Sequence, residues 1–377
     1  MPTPQRSVVV PLLMVDICLD SARASVVASR IRPVTTILSA LLLATSLVAG
    51  PSTASDGVLE INQTCAAGPG CFSGDTAGYP ITINGSAGRS YRLTSDLVVP
   101  NENTDGIQVN TSDVGIDLNN FSIIRSGCVG ATTNCTALAG TGSGVEFQSS
   151  TNRGNSVRNG SITGMGNMGV YLGEQSEVIN LRVRWNRIAG MDLGIISTIS
   201  GVVAFQNGGV GISGSLGSAI SSSTAYQNGT DGIVSNSGST VSDSTAYDNG
   251  DDGFDVSIGS TIRGNAAYSN GGNGIEATTA CLVSDNSTYS NGLDGIFAGS
   301  GSIVSNNLAQ SNGGDGIQAG LGSTVQRNTT RSNVGYGINL SADASYRENT
   351  VTSNTLGTTN GGVNMGSNSC NGVTSCP

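Results

Sequence analysis

The chain repeats itself every 21 residues, so that NGDDGFDVSIGSTIRGNAAYS (residues 249–269) is followed directly by NGGNGIEATTACLVSDNSTYS (residues 270–290). An asparagine recurs at this spacing from Asn186 to Asn354, and a glycine keeps step with it from Gly169 to Gly337. An apolar residue follows each of these glycines. A fixed period of this length is typical of a solenoid, in which a repeat buries its apolar face only against its neighbours.

Each repeat contains three short segments of alternating apolar and polar residues, separated by Gly, Asn or Ser. This alternation predicts β-strands, and helical periodicity is absent. Further columns of apolar or small residues run from Val157 to Val325 and from Val183 to Thr330. Stacked coils would place like residues about 4.8 Å apart and form a continuous core. The period is too long for a left-handed hexapeptide coil and the skeleton of a leucine-rich repeat is missing, so we predict an all-β, right-handed parallel β-helix with three strands per coil.

The repeats resemble those of right-handed parallel β-helix proteins of the pectate-lyase-like superfamily, as in NAAYSNGGNGIEA (residues 265–277). The earlier stretch Tyr91–Ile123 is similar to the opening coils of the periplasmic, carbohydrate-binding-type subgroup. The resemblance extends over residues 80–365 and implies a fold. It does not imply one activity, because the group includes lyases, hydrolases, epimerases and adhesins. The Gly-His-Gly segment of polygalacturonases and the Asp-Pro-His-Asp segment of alginate epimerases are absent, since the chain has no histidine.

Composition excludes several classes of function. Among 377 residues there are 55 glycines and no histidine, and only 11% of the residues are charged. Without histidine the chain cannot form a Ser-His-Asp or Cys-His nucleophile system or a His-ligated metal site. The net charge of −10 argues against a general nucleic-acid binder, because such proteins need basic residues to displace counterions.

The N-terminal segment reads as an export signal. Arg30 and Arg32 precede an apolar run over residues 37–49, and small residues follow it. This order is typical of a secretory signal peptide, and the run is too short to span a bilayer comfortably. We therefore expect a secreted, periplasmic or cell-surface monomer with no membrane span after cleavage. The predicted organisation is a leader over 1–55, N-terminal strands with a disulfide-looped cap over 56–140, β-helix coils over 141–365, and a C-terminal disulfide loop over 366–377.

Cysteine usage fits an oxidising compartment. Six cysteines form three closely spaced couples in Gly-, Asn- or Thr-rich loops: Cys65 and Cys71, Cys128 and Cys135, Cys370 and Cys376. Local disulfides are the simplest interpretation, although spacing alone does not determine the connectivity. Cys281 occupies a position that is serine in the neighbouring repeats, which predicts a plain structural thiol.

One aromatic residue per repeat forms a predicted ladder: Phe205, Tyr226, Tyr247, Tyr268 and Tyr289, with Arg184 in the same column. If Ala267 points inward, its neighbour Tyr268 points outward. The resulting stripe has the length of a short oligosaccharide and is a candidate glycan-binding surface. Rings stacked coil on coil also cover one another's faces, so a cross-strand stack that only stabilises the sheet is the competing interpretation.

Acidic residues supply the second candidate site. Asp255 and Glu276 lie one repeat apart, which would bring their carboxylates to about 5 Å, near the separation of a retaining glycosidase pair. Together with Asp252 they also offer the oxygen ligands that suit Ca²⁺, although aspartate before glycine is an ordinary turn residue. We expect a non-catalytic binding or structural module for a polysaccharide or cell-envelope glycan. The alternative is a calcium-assisted lyase or hydrolase that acts on an acidic polysaccharide.

Overall fold

A computed structural model describes residues 57–85, 89–149, 152–372 and 376, so the predicted leader lies outside the described residues. A short α-helix over Gln63–Ala67 begins after Asn62, whose side chain accepts a hydrogen bond from the Cys65 N–H at 3.0 Å. A 3₁₀ turn covers Ser126–Cys128. In the described part of the chain, no helix has the length and apolar character that crossing a membrane requires.

The remaining elements are β-strands in two sheets. The 13-stranded sheet contains Ile81–Ile83, Ile107–Val109, Val145–Phe147, Val170–Leu172, Met191–Leu193, Ile212–Gly214, Ile233–Ser235, Phe254–Val256, Ile275–Ala277, Ile296–Ala298, Ile317–Ala319, Tyr336–Leu340 and Gly357–Asn360. The 25-stranded sheet contains Leu59–Ile61, Ser90–Leu93, Leu97–Val99, Gly115–Asp117, Ser122–Arg125, Ser156–Thr163, Glu177–Arg184, Thr198–Ser200, Val203–Phe205, Ala219–Ser221, Thr224–Tyr226, Thr240–Ser242, Thr245–Tyr247, Thr261–Arg263, Ala266–Tyr268, Leu282–Ser284, Ser287–Tyr289, Ile303–Ser305, Leu308–Gln310, Thr324–Gln326, Thr329–Arg331, Ser345–Arg347, Thr350–Thr352, Val363–Asn364 and Ser369–Cys370.

One coil consists of a strand of the 13-stranded sheet followed by two strands of the 25-stranded sheet. Successive coils pair in parallel, with residues 21 positions apart directly opposite each other, as in Ile233 opposite Phe254 and Val241 opposite Ile262. This register confirms the predicted parallel β-helix with three strands per coil. Strands before residue 140 pair into the same two sheets, so the coils extend into the predicted N-terminal segment.

The core is a stack of inward-facing columns. Ile233, Phe254 and Ile275 are completely buried in the column of the 13-stranded sheet, and Val241 and Ala246 are completely buried in the columns of the other sheet. Each fully buried large apolar side chain stabilises the fold by about 1.5–3 kcal/mol relative to its exposed state. Because every coil contributes to the same columns, the core is continuous along the solenoid.

Asparagine columns satisfy the backbone at the corners. The backbone N–H and the side-chain Nδ2 of Asn270 donate to Asn291 Oδ1 at 3.2 and 2.9 Å, and Nδ2 also donates to the Ala246 carbonyl at 3.1 Å. The preceding residue, Ser269, has a φ of 56°, in the left-handed region that a sharp corner requires. These buried amides are therefore structural.

The disulfides and the free thiol agree with the sequence predictions. Disulfide bonds join the three close couples of cysteines: Cys65 with Cys71, Cys128 with Cys135, and Cys370 with Cys376. Cys281 is a buried free thiol whose backbone N–H donates to Ser302 Oγ at 3.2 Å. The serines of the same column make equivalent contacts, as Ser302 does with Ser323 Oγ, so the structural role predicted for Cys281 is confirmed.

Candidate functional site

The aromatic ladder lies on the outer face of the 25-stranded sheet, as predicted. Ala267 is completely buried and the Tyr268 side chain points outward. From Phe205 to Tyr289 the ring centroids are 4.8–4.9 Å apart and adjacent ring planes differ by only 2–5°. Each inner ring therefore has a neighbour on both faces, and the ladder presents ring edges and hydroxyl groups rather than ring faces.

Cationic and amide groups extend the column at both ends. The Arg184 guanidinium lies 4.1 Å from the centre of the Trp185 ring and 5.8 Å from that of Phe205. Burial lowers the pKa of Arg184, and the nearby Arg182 lowers it further. At the other end, Tyr289 is in register with Gln310. The terminal ring faces are thus next to side chains of the protein, which fits a stabilising stack.

The structure brings together the three acidic residues that the sequence singled out. Asp255 and Glu276 are directly opposite each other on adjacent strands of the 13-stranded sheet. Asn273 Nδ2 donates to Glu276 Oε2 at 3.1 Å, and the Asp252 carboxyl shares a hydrogen bond with Glu276. Asp252 is buried, whereas Asp255 and Glu276 are half-buried. We call Asp252, Asp255 and Glu276 the acidic triad.

Burial and mutual repulsion perturb the triad. Burial raises the pKa of Asp255 to about 6, and the charge of Glu276 contributes to the increase. Burial also raises the pKa of Asp252 to about 8, despite the N–H of Asn273 that favours its ionised form. A carboxyl group with a pKa of about 8 is largely protonated at neutral pH. A protonated acid beside a carboxylate can serve proton transfer.

The turns next to the triad contain a column of further acidic residues. Asp231 Oδ1 accepts the Asp252 N–H at 3.1 Å, and Asp294 Oδ1 accepts the Asp315 N–H at 2.6 Å. These carboxylates stabilise turns from one coil to the next, which matches their ordinary role before glycine. One oxygen each of Asp231, Asp251 and Asp252 also lies within 4.8 Å of the others, a donor set that fits a hard cation. The sequence prediction of the metal ligands named Asp252 but neither Asp231 nor Asp251, although both lie close to Asp252 in the repeat pattern.

The outward row of the 13-stranded sheet has a different character from the ladder. The strands of this sheet contain Glu146, Asp192, Asp255 and Glu276 but no arginine, whereas arginines are frequent in the strands of the other sheet. Neighbours in the row differ in type, as in Tyr171, Asp192 and Ser213 on three successive strands. The row is therefore acidic and interrupted by aromatic and hydroxyl groups.

Two adjoining cavities of about 290 and 270 Å³ open on this row, and we call them together the sheet cleft. Both are lined by Asp192 and Ser213, and the larger one also by Phe147 and Tyr171. The Phe147 and Tyr171 rings are 4.7 Å apart and inclined by 54°, so they form an edge-on wall rather than a parallel stack. Ser213 Oγ donates to Asp192 Oδ1 at 2.9 Å, and burial raises the pKa of Asp192.

Sequence reasoning missed the sheet cleft because it searched for residues that repeat. The sequence signal that could have located the cleft is an outward position that does not repeat, where Tyr171, Asp192 and Ser213 succeed one another. Phe147 could not be assigned, since it reaches the cleft from a coil in which the 21-residue spacing is broken.

Comparison with known proteins identifies the family. Residues 106–287 and 262–376 match the family model described as right handed beta helix region, so the chain belongs to the right-handed β-helix family. This match also establishes the predicted handedness. No curated protein matches the chain significantly.

Several solved structures resemble this chain at low sequence identity. The A-module of mannuronan C-5 epimerase AlgE4 from Azotobacter vinelandii is 14% identical over 73% of this chain and 86% of that one, with a TM-score of 0.43. The periplasmic alginate epimerase AlgG is 13% identical over 81% and 74% of the two chains, with a TM-score of 0.40. The Dettilon tailspike protein is 15% identical over 74% and 60%, with a TM-score of 0.44.

Proposed function

We propose that this right-handed β-helix protein is a non-catalytic module that binds a glycan in the sheet cleft. The observation that carries the proposal is the meeting of the Phe147–Tyr171 wall with the Asp192–Ser213 pair around two adjoining cavities. Binding sites of small ligands combine apolar and aromatic surface with a few placed polar groups. A sugar offers both matching surfaces, since its C–H groups pack on rings and its hydroxyls donate to carboxylate oxygens.

The charge of the surface favours a neutral glycan. Asp192 in the cleft and Asp255 and Glu276 farther along the same row are half-buried carboxylates without an arginine in their sheet. An acidic polysaccharide would add like charges to a surface on which burial already disfavours ionisation. The three disulfides fit the extracellular or periplasmic setting in which a cell-envelope glycan would be met.

The aromatic ladder is the competing surface for the same ligand class. Its rings stack on one another at 4.8–4.9 Å, so a sugar would reach mainly their edges and hydroxyl groups. The sheet cleft instead has open cavities beside its rings. We therefore place the glycan in the cleft and use the ladder as the matched comparison.

The test is affinity electrophoresis of the purified protein in gels that contain xylan, a β-glucan, polygalacturonate or alginate. We expect retardation by a neutral polymer, and Tyr171→Ala should weaken it roughly tenfold, because truncation of an aromatic anchor costs about 1–2 kcal/mol. The double variant Tyr247→Ala/Tyr268→Ala should bind like the parent. Loss of binding in the double variant but not in Tyr171→Ala would transfer the site to the ladder, and retardation by no polymer would refute glycan binding.

The acidic triad supports a second candidate function, the calcium-assisted cleavage of an acidic polysaccharide. The observation that favours it is the convergence of Asp252, Asp255 and Glu276, with one carboxyl protonated and one ionised at neutral pH. Bound Ca²⁺ would offset the repulsion among these carboxylates and a uronate.

An assay for new reducing ends and unsaturated products separates the two functions. The proposed binding module should release no product from any of the four polymers, with or without calcium. Product that disappears with a chelator and in Glu276→Gln, while binding persists, would establish the enzyme instead.

A further inference from the structure

A third cavity, of about 360 Å³, lies between the loop closed by the Cys128–Cys135 disulfide and the turns of two later coils. Asn134 and Thr136 line it from the loop, and Gln206 and Gln227 line it from the turns together with the backbone of Gly208. We propose that this cavity binds one neutral sugar unit, either a free monosaccharide or the terminal residue of a glycan. We call it the loop pocket.

The wall of the loop pocket is held in place by covalent and polar contacts. The Cys128–Cys135 disulfide closes the loop, and Arg125 donates from Nε to the Gly164 carbonyl at 2.6 Å and from Nη2 to the Cys135 carbonyl. Farther along the loop, Arg187 Nη2 donates to the Gly140 carbonyl at 3.2 Å. A wall tied to other coils in this way is preorganised, which reduces the entropy cost of binding.

The floor of the pocket carries two glutamines at unusual positions. Gln206 and Gln227 both have a φ of 53°, and later residues of the same column, such as Ser269, keep the left-handed conformation with shorter side chains. Asparagine and aspartate tolerate this conformation best among non-glycine residues, so the turn itself gives no reason for glutamine. The long amides occur at the two coils that face the disulfide loop, which indicates that the pocket rather than the turn uses them.

The amide groups are available to a ligand. Trp185 Nε1 donates to Gln206 Oε1 at 2.8 Å, which fixes the orientation of that amide and leaves its Nε2 as a donor. The Gln227 side chain is exposed and makes no hydrogen bond to another described residue. In Asn134, Oδ1 accepts from the backbone and hydroxyl of Thr136, so its Nδ2 is directed elsewhere.

The chemistry of the lining defines the ligand class. The described residues that line the loop pocket include no charged side chain, and amides combine a donor with an acceptor at fixed spacing. Vicinal hydroxyls of a neutral sugar match this pattern, and the volume lies at the small end of the range for ligand sites. If the ligand is the terminal residue of a glycan, this inference rests on the proposed function. The two sites then adjoin, because Gly209 and Thr230 of the sheet cleft directly follow Gly208 and Gly229 of the loop pocket.

Isothermal titration with methyl glycosides of glucose, galactose and mannose tests the pocket, and the corresponding oligosaccharides test the chain end. The informative variant is Gln227→Asn, since asparagine keeps the turn conformation but shortens the reach. The matched control is Ser269→Asn, which changes the same column outside the pocket. We expect Gln227→Asn to weaken binding at least fivefold while Ser269→Asn leaves it unchanged.

The outcomes separate the loop pocket from the sheet cleft. Binding of glycosides that depends on Gln227 but not on Tyr171 supports the pocket, even if no polymer binds in the cleft. Dependence on Gln227 for oligosaccharides but not for monosaccharides identifies a chain end as the ligand. Binding that depends on Tyr171 alone, or no binding of any glycoside or oligosaccharide, overturns the pocket, and only the second result also contradicts the cleft.

Discussion

The aromatic ladder and the outward row of the 13-stranded sheet follow the same 21-residue period, yet they use it differently. In the ladder, Phe205 and four tyrosines place like on like, with centroids at 4.8–4.9 Å. In the outward row, Tyr171, Asp192 and Ser213 place unlike residues on successive coils, and cavities open beside them. The spacing of the coils is shared, so the difference comes from the side chains.

In a column that repeats, the side chains stack on or bond to one another, whereas in a column that varies more of their surface stays accessible to a ligand. Stacked rings cover one another and stacked amides bond to one another, so the interactions of a regular column stabilise the fold. A column of unlike residues does this less completely: Ser213 donates to Asp192 and Phe147 packs on Tyr171, yet cavities open beside these pairs and leave part of their surface for a ligand. In a solenoid we therefore expect stability to reside in the columns that repeat and binding to reside where the repeat is broken.

The largest effect is expected at the most regular column. Asn270→Ala removes an amide that donates to Ala246 and Asn291 and accepts from Asn249. Several buried groups lose their partners, so we expect a loss of about 3 kcal/mol or more in unfolding free energy by urea denaturation. The exposed control Asn103→Ala should stay within about 0.5 kcal/mol. A loss below about 1 kcal/mol would show that the amide column is dispensable.

A smaller effect is expected in the middle of the ladder. Tyr247→Ala removes two stacking contacts and should lower the unfolding free energy by about 1–2 kcal/mol, whereas Tyr247→Phe keeps the stack and should change it little. Glycan affinity should be the same for both variants. The contrast between the columns fails if Tyr247→Ala leaves stability unchanged and reduces affinity.

The acidic turn column should make stability depend on pH. Burial raises the pKa of Asp294 from 3.8 to about 6. Between these two pH values the folded state therefore retains a proton that the unfolded chain has released. The stability that this proton provides is complete below about pH 4 and is lost as the pH rises through 6. Asp294→Asn abolishes this dependence, and Asn273 shows that the column accepts an amide at this position.

We therefore expect Asp294→Asn to be about 1–2 kcal/mol more stable than the parent at pH 8 and nearly equal to it at pH 4. Urea denaturation at the two pH values measures the difference. An equal effect at both values would mean that packing, not ionisation, governs this position.

The smallest effect is expected for Cys281→Ser. The repeats on both sides of Cys281 have serine at this position, Ser260 and Ser302, and the Cys281 thiol is buried without a disulfide partner. A serine restores the repeat, so the free energy of unfolding should change by no more than about 0.5 kcal/mol, with a correspondingly small shift in melting temperature. A large decrease would indicate that the thiol has a role beyond packing.

Periodic features were predictable from the sequence, and non-periodic contacts were not. The ladder from Phe205 to Tyr289 could be predicted in full, because each ring meets the residue 21 positions away in a parallel register. The register also placed Asp255 opposite Glu276. The hydrogen bond between Asp252 and Glu276 could not be predicted, since it joins a turn to a strand and depends on the path of the turn.

The amino-acid sequence by itself determined the parallel β-helix, its three strands per coil and the columns that repeat, whereas the pairing of the six cysteines needed the structure. A constant period determines these features because residues one period apart lie directly opposite each other on adjacent coils. Tertiary structure alone decided where Phe147 meets Tyr171 and where the loop with Asn134 meets Gln227. Those residues are separated by intervals that no period relates, so their contacts exist only after the coils are stacked and the loop has packed across them.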